Sequence, residues 1–132
     1  MKIAKIIAAF LTALFLGIVL IERIQGGLVD TDVKYEWLMF GLFKIALLDD
    51  ITHSLSGLAG IAALCLSYRW TVKSLILIGG YYALDALFFI TNGFFTGQGI
   101  VDNILLNGPH ILITALVIFA LSKSVRHIEL IE

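Results

Sequence analysis

Four long apolar stretches constrain this chain more than any other feature of its sequence. They cover about residues 3–21, 51–68, 72–92 and 103–122, and the charged residues inside them stand near their ends, apart from Asp85. A helix needs roughly 20 mainly apolar residues to cross a bilayer, and each stretch is about that long. Because lipid offers the backbone no hydrogen-bond partners, such stretches form helices. The sequence therefore predicts an all-α fold, a four-transmembrane-helix bundle, in a single membrane domain covering residues 1–132.

The composition excludes most other classes of protein. Of the 132 residues, 60% are hydrophobic and 14% are charged, whereas a typical soluble domain has about 45–50% and 25%. A soluble domain of this size buries only about two-thirds of its surface, so its core could not hold the excess. One cysteine, 9 basic and 10 acidic residues argue against a disulfide scaffold and against a nucleic-acid partner. The lipid bilayer is the partner that the composition predicts.

The lysine and arginine residues predict the orientation of the four spans. One side would hold six of them, which are Lys2, Lys5, Arg69, Lys73, Lys123 and Arg126. The other side would hold three, Arg23, Lys34 and Lys44. Because basic residues concentrate on the cytoplasmic side of membrane proteins, we expect a multi-pass protein of a bacterial plasma membrane with both termini in the cytoplasm.

Two outer connections follow from this orientation. The longer one, residues 22–49, begins with a polar loop and continues with the aromatic residues 35–43. This second part is typical of a short outer interfacial segment, which we favour, or of an extension of the second span. Residues 93–99 are predicted to form a turn, because they contain three glycines and no charge.

Polar residues at the start of the second span share faces of one helix. Asp49 and Asp50 stand four and three residues before His53, so either carboxylate can lie beside the imidazole. Ser56, Gly57 and Gly60 continue along the same part of the helix. Small residues allow another helix to approach closely, so these three positions predict a helix-packing face.

The third and fourth spans carry further polar side chains. The predicted intramembrane network consists of Tyr81, Asp85 and Asn92 on the third span and Asn103, Asn107 and Thr114 on the fourth, with His110 in the same stripe. A rise of about 1.5 Å per residue places Asp85, His53 and His110 at a similar depth in the outer half of the bilayer. An isolated charge in mid-membrane costs roughly 2.5–3.5 kcal/mol. We therefore expect Asp85 to be protonated or to contact one of the two histidines.

Three interpretations of these polar residues remain open. They can be structural and fix which helix faces meet. His53 and His110, with Asp85, Asp49 and Asp50, can form a metal or haem site, because neutral imidazole is the commonest protein ligand for metals. Asp85 and a histidine can also carry a proton in a small proton-coupled carrier. The sequence requires no cofactor, and a metal or a haem is possible.

The second span also resembles a known family. Gly41-Leu42-Phe43 followed by Asp50-Ile51-Thr52-His53 and by Gly57 and Gly60 is similar to the signature of a bacterial family of small four-helix membrane proteins, catalogued as a domain of unknown function. The resemblance continues at Ile78-Gly79-Gly80-Tyr81-Tyr82 and at Val101-Asp102-Asn103. It implies the four-helix fold and, since the family has no established activity, no chemistry.

The leading functional hypothesis is a non-enzymatic accessory or structural subunit, because the chain is small and has no catalytic motif. No catalytic residue is predicted. We expect this subunit to form a homo-oligomer or to join a larger membrane complex through the glycine-lined face of the second span. Metal or haem binding and proton-coupled transport are the alternatives.

Overall fold

The computed structural model describes residues 2–26, 36–39, 43–97 and 99–128. The described elements are α1 (Lys2–Gly26), β1 (Glu36–Met39), β2 (Phe43–Ala46), α2 (Leu47–Leu66), α3 (Tyr68–Phe95), α4 (Ile100–Leu106) and α5 (Gly108–Ile128). The prediction of a helical protein is confirmed at this level, with a short hairpin in addition.

The buried core is formed by α1, α3 and α5. On α1, apolar side chains three or four residues apart face inward, from Ala4 through Leu11 to Phe15, which is the spacing of one helix face. Leu75 and Tyr82 of α3 and Val117 of α5 meet this face. The helix α2 packs against α1 and α3, and α5 packs against α1 and α3. Each of the four long helices therefore packs against at least two of the others.

Two of these helices are long and apolar enough to cross a membrane, Ile3–Ile21 within α1 and Tyr68–Phe95. The first range has the predicted bounds, and the second contains the predicted span 72–92. The bent pair Ile100–Leu106 and Gly108–Ser124 adds a third candidate if it is counted as one span. The helix α2 does not qualify although it has 20 residues, because Asp49, Asp50 and His53 make its first turns polar.

The prediction of one continuous helix over residues 103–122 is wrong. The chain bends by 59° between α4 and α5, and Asn107 ends α4. The physical reason is Pro109, which lies in the first turn of α5 and has no amide hydrogen to donate to the carbonyl of Leu105. Gly108 before it lowers the helix propensity further. The fourth apolar stretch is therefore two helices.

The segment before α2 also differs from the prediction. Glu36–Met39 and Phe43–Ala46 pair as antiparallel strands, with Glu36 opposite Ala46 and Met39 opposite Phe43. Neither an interfacial helix nor an extension of α2 describes these residues. Trp37 in the first strand, and Phe43 and Ile45 in the second, are residue types that favour strands, and helical pattern analysis does not detect this preference. Residues 27–35 and 40–42, which include most of the predicted loop, lie outside the described residues.

The connections at the two ends of α3 are short. Ser67 alone separates α2 from α3, and its side chain accepts a hydrogen bond from the Trp70 amide at 3.4 Å. Thr71 donates from its hydroxyl to the carbonyl of Ser67 at 3.0 Å. At the other end the helix continues through Phe95, so the predicted turn begins later, at Thr96 and Gly97. Gly97 has a φ of +76°, which favours glycine.

Candidate functional site

A cavity of about 790 Å³ lies where α1 and α3 end and α2 and α5 begin. Most of its wall is apolar, and its polar lining side chains are Asp49, His53, Asn92, Asn107 and His110. Phe10, Leu14 and Leu112 also line it and are exposed on the flank of the molecule. The cavity is therefore open on an apolar flank, while its polar groups come from α2, from α3 and from the start of α5.

His53 is the most enclosed polar group of this cavity with an unsatisfied atom. Its side chain is 8% exposed, and its Nδ1 atom makes no hydrogen bond within the described part of the chain. Its ring stacks on Phe15, with the ring centroids 5.8 Å apart and the planes at 21°. This contact fixes the plane of the imidazole. A buried polar atom without a partner costs about 1–3 kcal/mol, so the position of this ring lowers the stability of the fold.

Asp85 and His110 form a second pair of polar side chains near the cavity. Asp85 Oδ2 lies 2.8 Å from His110 Nδ1, and the two side chains are 20% and 25% exposed. His110 Nδ1 does not meet the geometry of a hydrogen bond, so the contact is an ion pair when the imidazole is protonated. His110 lines the cavity and Asp85 does not. Of the two histidines considered from the sequence, His110 is thus the one that contacts Asp85.

Tyr82 connects the two imidazoles. Its ring centroid lies 6.2 Å from that of His53 and 5.3 Å from that of His110. It also stacks on Phe15 at 5.1 Å with nearly parallel planes. Offset and tilted arrangements at these distances are favourable for aromatic rings. Phe15 and Tyr82 therefore hold both histidines in position at one end of the cavity.

Two asparagines form a hydrogen-bonded unit beside the histidines. Asn103, which is 1% exposed, donates from Nδ2 to the carbonyl of Ile90 at 2.8 Å and so joins α4 to α3. Asn107 donates from Nδ2 to the carbonyl and to the Oδ1 atom of Asn103, at 2.8 and 3.0 Å. Gly93 of α3 packs directly against the Asn103 amide. These contacts fix α4 in its bent position.

The other residues predicted for the polar network, Tyr81, Asn92 and Thr114, lie outside this hydrogen-bonded unit. Tyr81 is 41% exposed, and its ring meets that of Tyr82 edge-on at 5.1 Å. Asn92 is exposed and lines the cavity. Thr114 donates its hydroxyl hydrogen to the carbonyl of His110 at 2.8 Å, within its own helix. Tyr82, adjacent to Tyr81, takes the internal position instead.

The predicted helix-packing face of α2 is in use inside the molecule. A side-chain carbon at Gly57 would collide with Leu16, and one at Gly60 would collide with the Thr12 hydroxyl. Both contact residues belong to α1. Ser56 is half-buried. These small residues therefore allow α1 to lie close to α2, and the face is not available to a partner protein.

The predicted metal ligands do not assemble around one point. Across residues 2–26, 36–39, 43–97 and 99–128, no three histidine, cysteine, aspartate or glutamate side chains lie together in a way that could hold a metal ion. Asp49 and His53 both line the cavity with His110, whereas Asp50 does not belong to its lining. Their arrangement gives two imidazoles on an apolar cavity, which suits hydrogen bonding to a ligand.

Sequence reasoning missed the contribution of α1 and of Tyr82. Phe10, Leu14 and Gly17 of α1 line the cavity, and Phe15 completes the aromatic cluster. The spacing of Leu75, Ile78 and Tyr82 marks a buried face of α3 and was the available signal for Tyr82. No such signal distinguishes the cavity side of α1, because apolar residues surround that helix.

Comparison of this chain with known protein families, with characterised proteins and with solved structures gives no match. The family resemblance seen in the second span therefore stays a prediction.

Proposed function

We propose that the protein crosses the membrane four times, with α2 as the second span and the bent pair of α4 and α5 as the fourth. The support for α2 is its position between α1 and α3, together with its outer face. That face carries large exposed apolar side chains, which are Leu48, Ile51, Leu55, Leu58 and Ile61. In water such a patch would be unfavourable, whereas lipid covers it without cost.

The proposed orientation follows the basic residues. Lys5, Arg69, Lys73 and Lys123 belong to the ends of α1, α3 and α5 that lie away from the cavity. The rule for basic residues would place this end, with both termini, in the cytoplasm of a bacterium. The cavity would then lie in the outer half of the plasma membrane.

Within that arrangement, we propose that the protein binds a lipid-soluble ligand without transforming it. The observation that carries this proposal is the cavity of about 790 Å³, which falls within the usual range of ligand sites, about 300–1,000 Å³. Apolar walls with a few polar groups are typical of such sites. The exposed rim at Phe10, Leu14 and Leu112 offers entry from the hydrocarbon region.

The shape of the cavity favours an extended apolar chain. Along α1 its lining continues from Phe10 to Ile21, which is about 16 Å at the helical rise. The imidazoles of His53 and His110 also belong to the lining. A ligand with a hydrocarbon tail and a polar head would therefore lie along α1, with its head beside the histidines.

Filling the cavity tests this function. Gly17 lines the cavity, and nothing lies within 4 Å of a side-chain carbon placed there, so Gly17→Leu should fold and occupy the binding space. Gly80 of α3 is equally open and does not line the cavity, which makes Gly80→Leu the matched control. The measurement is native mass spectrometry of protein equilibrated with dodecanol, dodecanoate and dodecylammonium.

We expect at least one of the three probes to bind with a stoichiometry of one, to be lost in Gly17→Leu and to be retained in Gly80→Leu. Absence of all three from the native protein, or equal binding by both variants, would contradict the proposal.

The three functional hypotheses drawn from the sequence differ in how much structural support they retain. An accessory role in a homo-oligomer or a larger complex stays a prediction, but the glycine face of α2 no longer supports it. Metal binding by His53 and His110 lacks a group of three or more gathered ligands among the described residues, and haem binding stays a prediction. Proton-coupled transport retains the contact between Asp85 and His110 as its motivation.

A further inference from the structure

We infer that the start of α3 holds the head group of an anionic phospholipid through Arg69, Trp70 and Lys73. None of these three residues lines the cavity, so this site is separate from the one proposed above. The inference requires that α3 cross the membrane, and α3 is long and apolar enough to do so.

The three side chains share one corner of the molecule. Arg69 and Lys73 are four residues apart on α3, and Trp70 and Lys73 are three apart, so both pairs are neighbours on the helix surface. All three are exposed, Trp70 by 51%. Guanidinium, ammonium and indole groups are hydrogen-bond donors and not acceptors. The corner therefore offers donors to an oxyanion, and two of the three side chains are positively charged.

Lys73 is positioned by a contact that leaves its charge intact. Its Nζ atom lies 4.8 Å from the centroid of the Trp70 ring. An ammonium over an indole face is attracted by the ring quadrupole, and this contact does not neutralise the ammonium as a carboxylate would. Because Lys73 stands one turn further along α3 than Trp70, its side chain reaches back towards the start of the helix. Basic side chains near the end of a span do the same to reach the membrane interface.

This position favours a lipid head group over other anions. Tryptophan is typical of the membrane interface, and the ammonium of Lys73 lies beside its ring. Two positive charges attract a phosphate group there, and they repel the choline or ethanolamine cation that a zwitterionic lipid carries beside its phosphate. A phospholipid with a net negative head group, such as phosphatidylglycerol, is therefore the class that fits.

Lys123 provides a useful contrast at the same end of the molecule. Its Nζ atom lies 5.6 Å from the ring centroid of Phe119, but phenylalanine has no hydrogen-bond donor and the contact joins one cation to one ring. Lys5 and Lys123 are both exposed. They carry the same total charge as Arg69 and Lys73, so neutralising them is the matched control.

The test compares two double variants by native mass spectrometry in a nonionic detergent. The probes are dioleoyl phosphatidylglycerol and dioleoyl phosphatidylcholine, which share their acyl chains and differ in the head group. The native protein should bind phosphatidylglycerol about 25-fold more tightly, since each of two cations beside an anionic lipid contributes about fivefold. Arg69→Gln with Lys73→Gln should remove this preference, whereas Lys5→Gln with Lys123→Gln should retain most of it.

The aromatic ring has its own test. Trp70→Leu should weaken phosphatidylglycerol binding about two- to fivefold, because it removes the ring beside the ammonium. Trp70→Phe keeps a ring and should recover part of the loss.

Equal affinity of the native protein for the two lipids would overturn the inference. An equal loss in the two double variants would also overturn it, since the attraction would then belong to the whole end of the molecule. Displacement of the lipid by an equal concentration of soluble glycerol phosphate would assign the site to a free phosphate ester instead. Gly17→Leu should leave phosphatidylglycerol binding unchanged, and a loss there would place the lipid in the cavity and remove the site on α3.

Discussion

Asp85 is a charged residue within an apolar helix, and its main contact is with His110. Its carboxylate lies well inside α3, 2.8 Å from His110 Nδ1. Either member left alone would be a partly buried polar group in apolar surroundings. Such a group loses its hydration without compensation, so the two side chains depend on each other for stability.

We therefore predict a coupled effect of substituting these two residues. Asp85→Ala and His110→Ala should each lower the free energy of unfolding by about 1–3 kcal/mol, and the double variant should lose less than the sum. Unfolding by denaturant in detergent micelles measures the three values. Thr91→Ala removes an exposed hydroxyl that bonds within its own helix, and it should change the value by less than about 0.5 kcal/mol. Additive losses at the first two positions would rule out the coupling.

At the residue scale, the sequence identified the functional groups inside the bundle. It was less successful at predicting which side chains face inward. Asp85 could be identified because a charge within an apolar span needs a partner. Tyr81 and Tyr82 could not be separated, because adjacent positions on a helix differ by 100° and both residues are large and amphipathic. Packing against Phe15 of α1 selects Tyr82, and that contact depends on tertiary structure.

The helices α1 and α2 approach each other because Gly60 has no side chain. A carbon added at this position would meet the Thr12 hydroxyl, and Thr12 itself is buried. Gly80 on α3 is the opposite case, since nothing lies within 4 Å of an added carbon. Glycine thus has a packing role at position 60 and none at position 80.

Two alanine substitutions should separate these roles. Gly60→Ala should destabilise the protein by about 1–3 kcal/mol through overpacking, whereas Gly80→Ala should stabilise it by up to about 1 kcal/mol through helix propensity. Thr12→Ala combined with Gly60→Ala should recover most of the loss. Thermal unfolding in one detergent provides the comparison, and a destabilising Gly80→Ala would contradict the packing assignment.

At the element scale, long apolar runs were sufficient to predict the helices, and their interruptions were harder to place. The break at Asn107 and Gly108 depends on Pro109, which a span pattern tolerates near a helix start. The strands Glu36–Met39 and Phe43–Ala46 are too short to show a clear alternation. Both features arise from local backbone preferences that average hydropathy does not contain.

The whole molecule presents an apolar exterior. Large exposed side chains such as Leu55, Leu77 and Leu84 cover the outward faces of its helices. In the four-span arrangement this surface contacts lipid. Two or three spans would leave α2 or the bent pair on one side of the membrane, so the sidedness of a few positions distinguishes the arrangements.

Cysteine labelling should determine this sidedness. In a Cys65→Ser background, we expect Leu48→Cys and Thr96→Cys to react with an impermeant maleimide in intact cells. Ser122→Cys should react only after lysis. All three positions are exposed on the protein. Labelling of Thr96→Cys and Ser122→Cys from the same side would mean that α4 and α5 form a re-entrant loop, and labelling of Leu48→Cys only after lysis would remove α2 as a span.

The link of one residue between α2 and α3 has a consequence for biosynthesis. With Ser67 alone between them, the two helices cannot reorient independently, so in the proposed four-span arrangement they would enter the bilayer together as an antiparallel pair. The polar start of α2 is a poor insertion signal by itself. Its partner α3 has 28 residues and is apolar enough to cross a membrane, so it would supply the driving force for both. Lengthening this link should therefore impair insertion of α2 before it affects the folded protein.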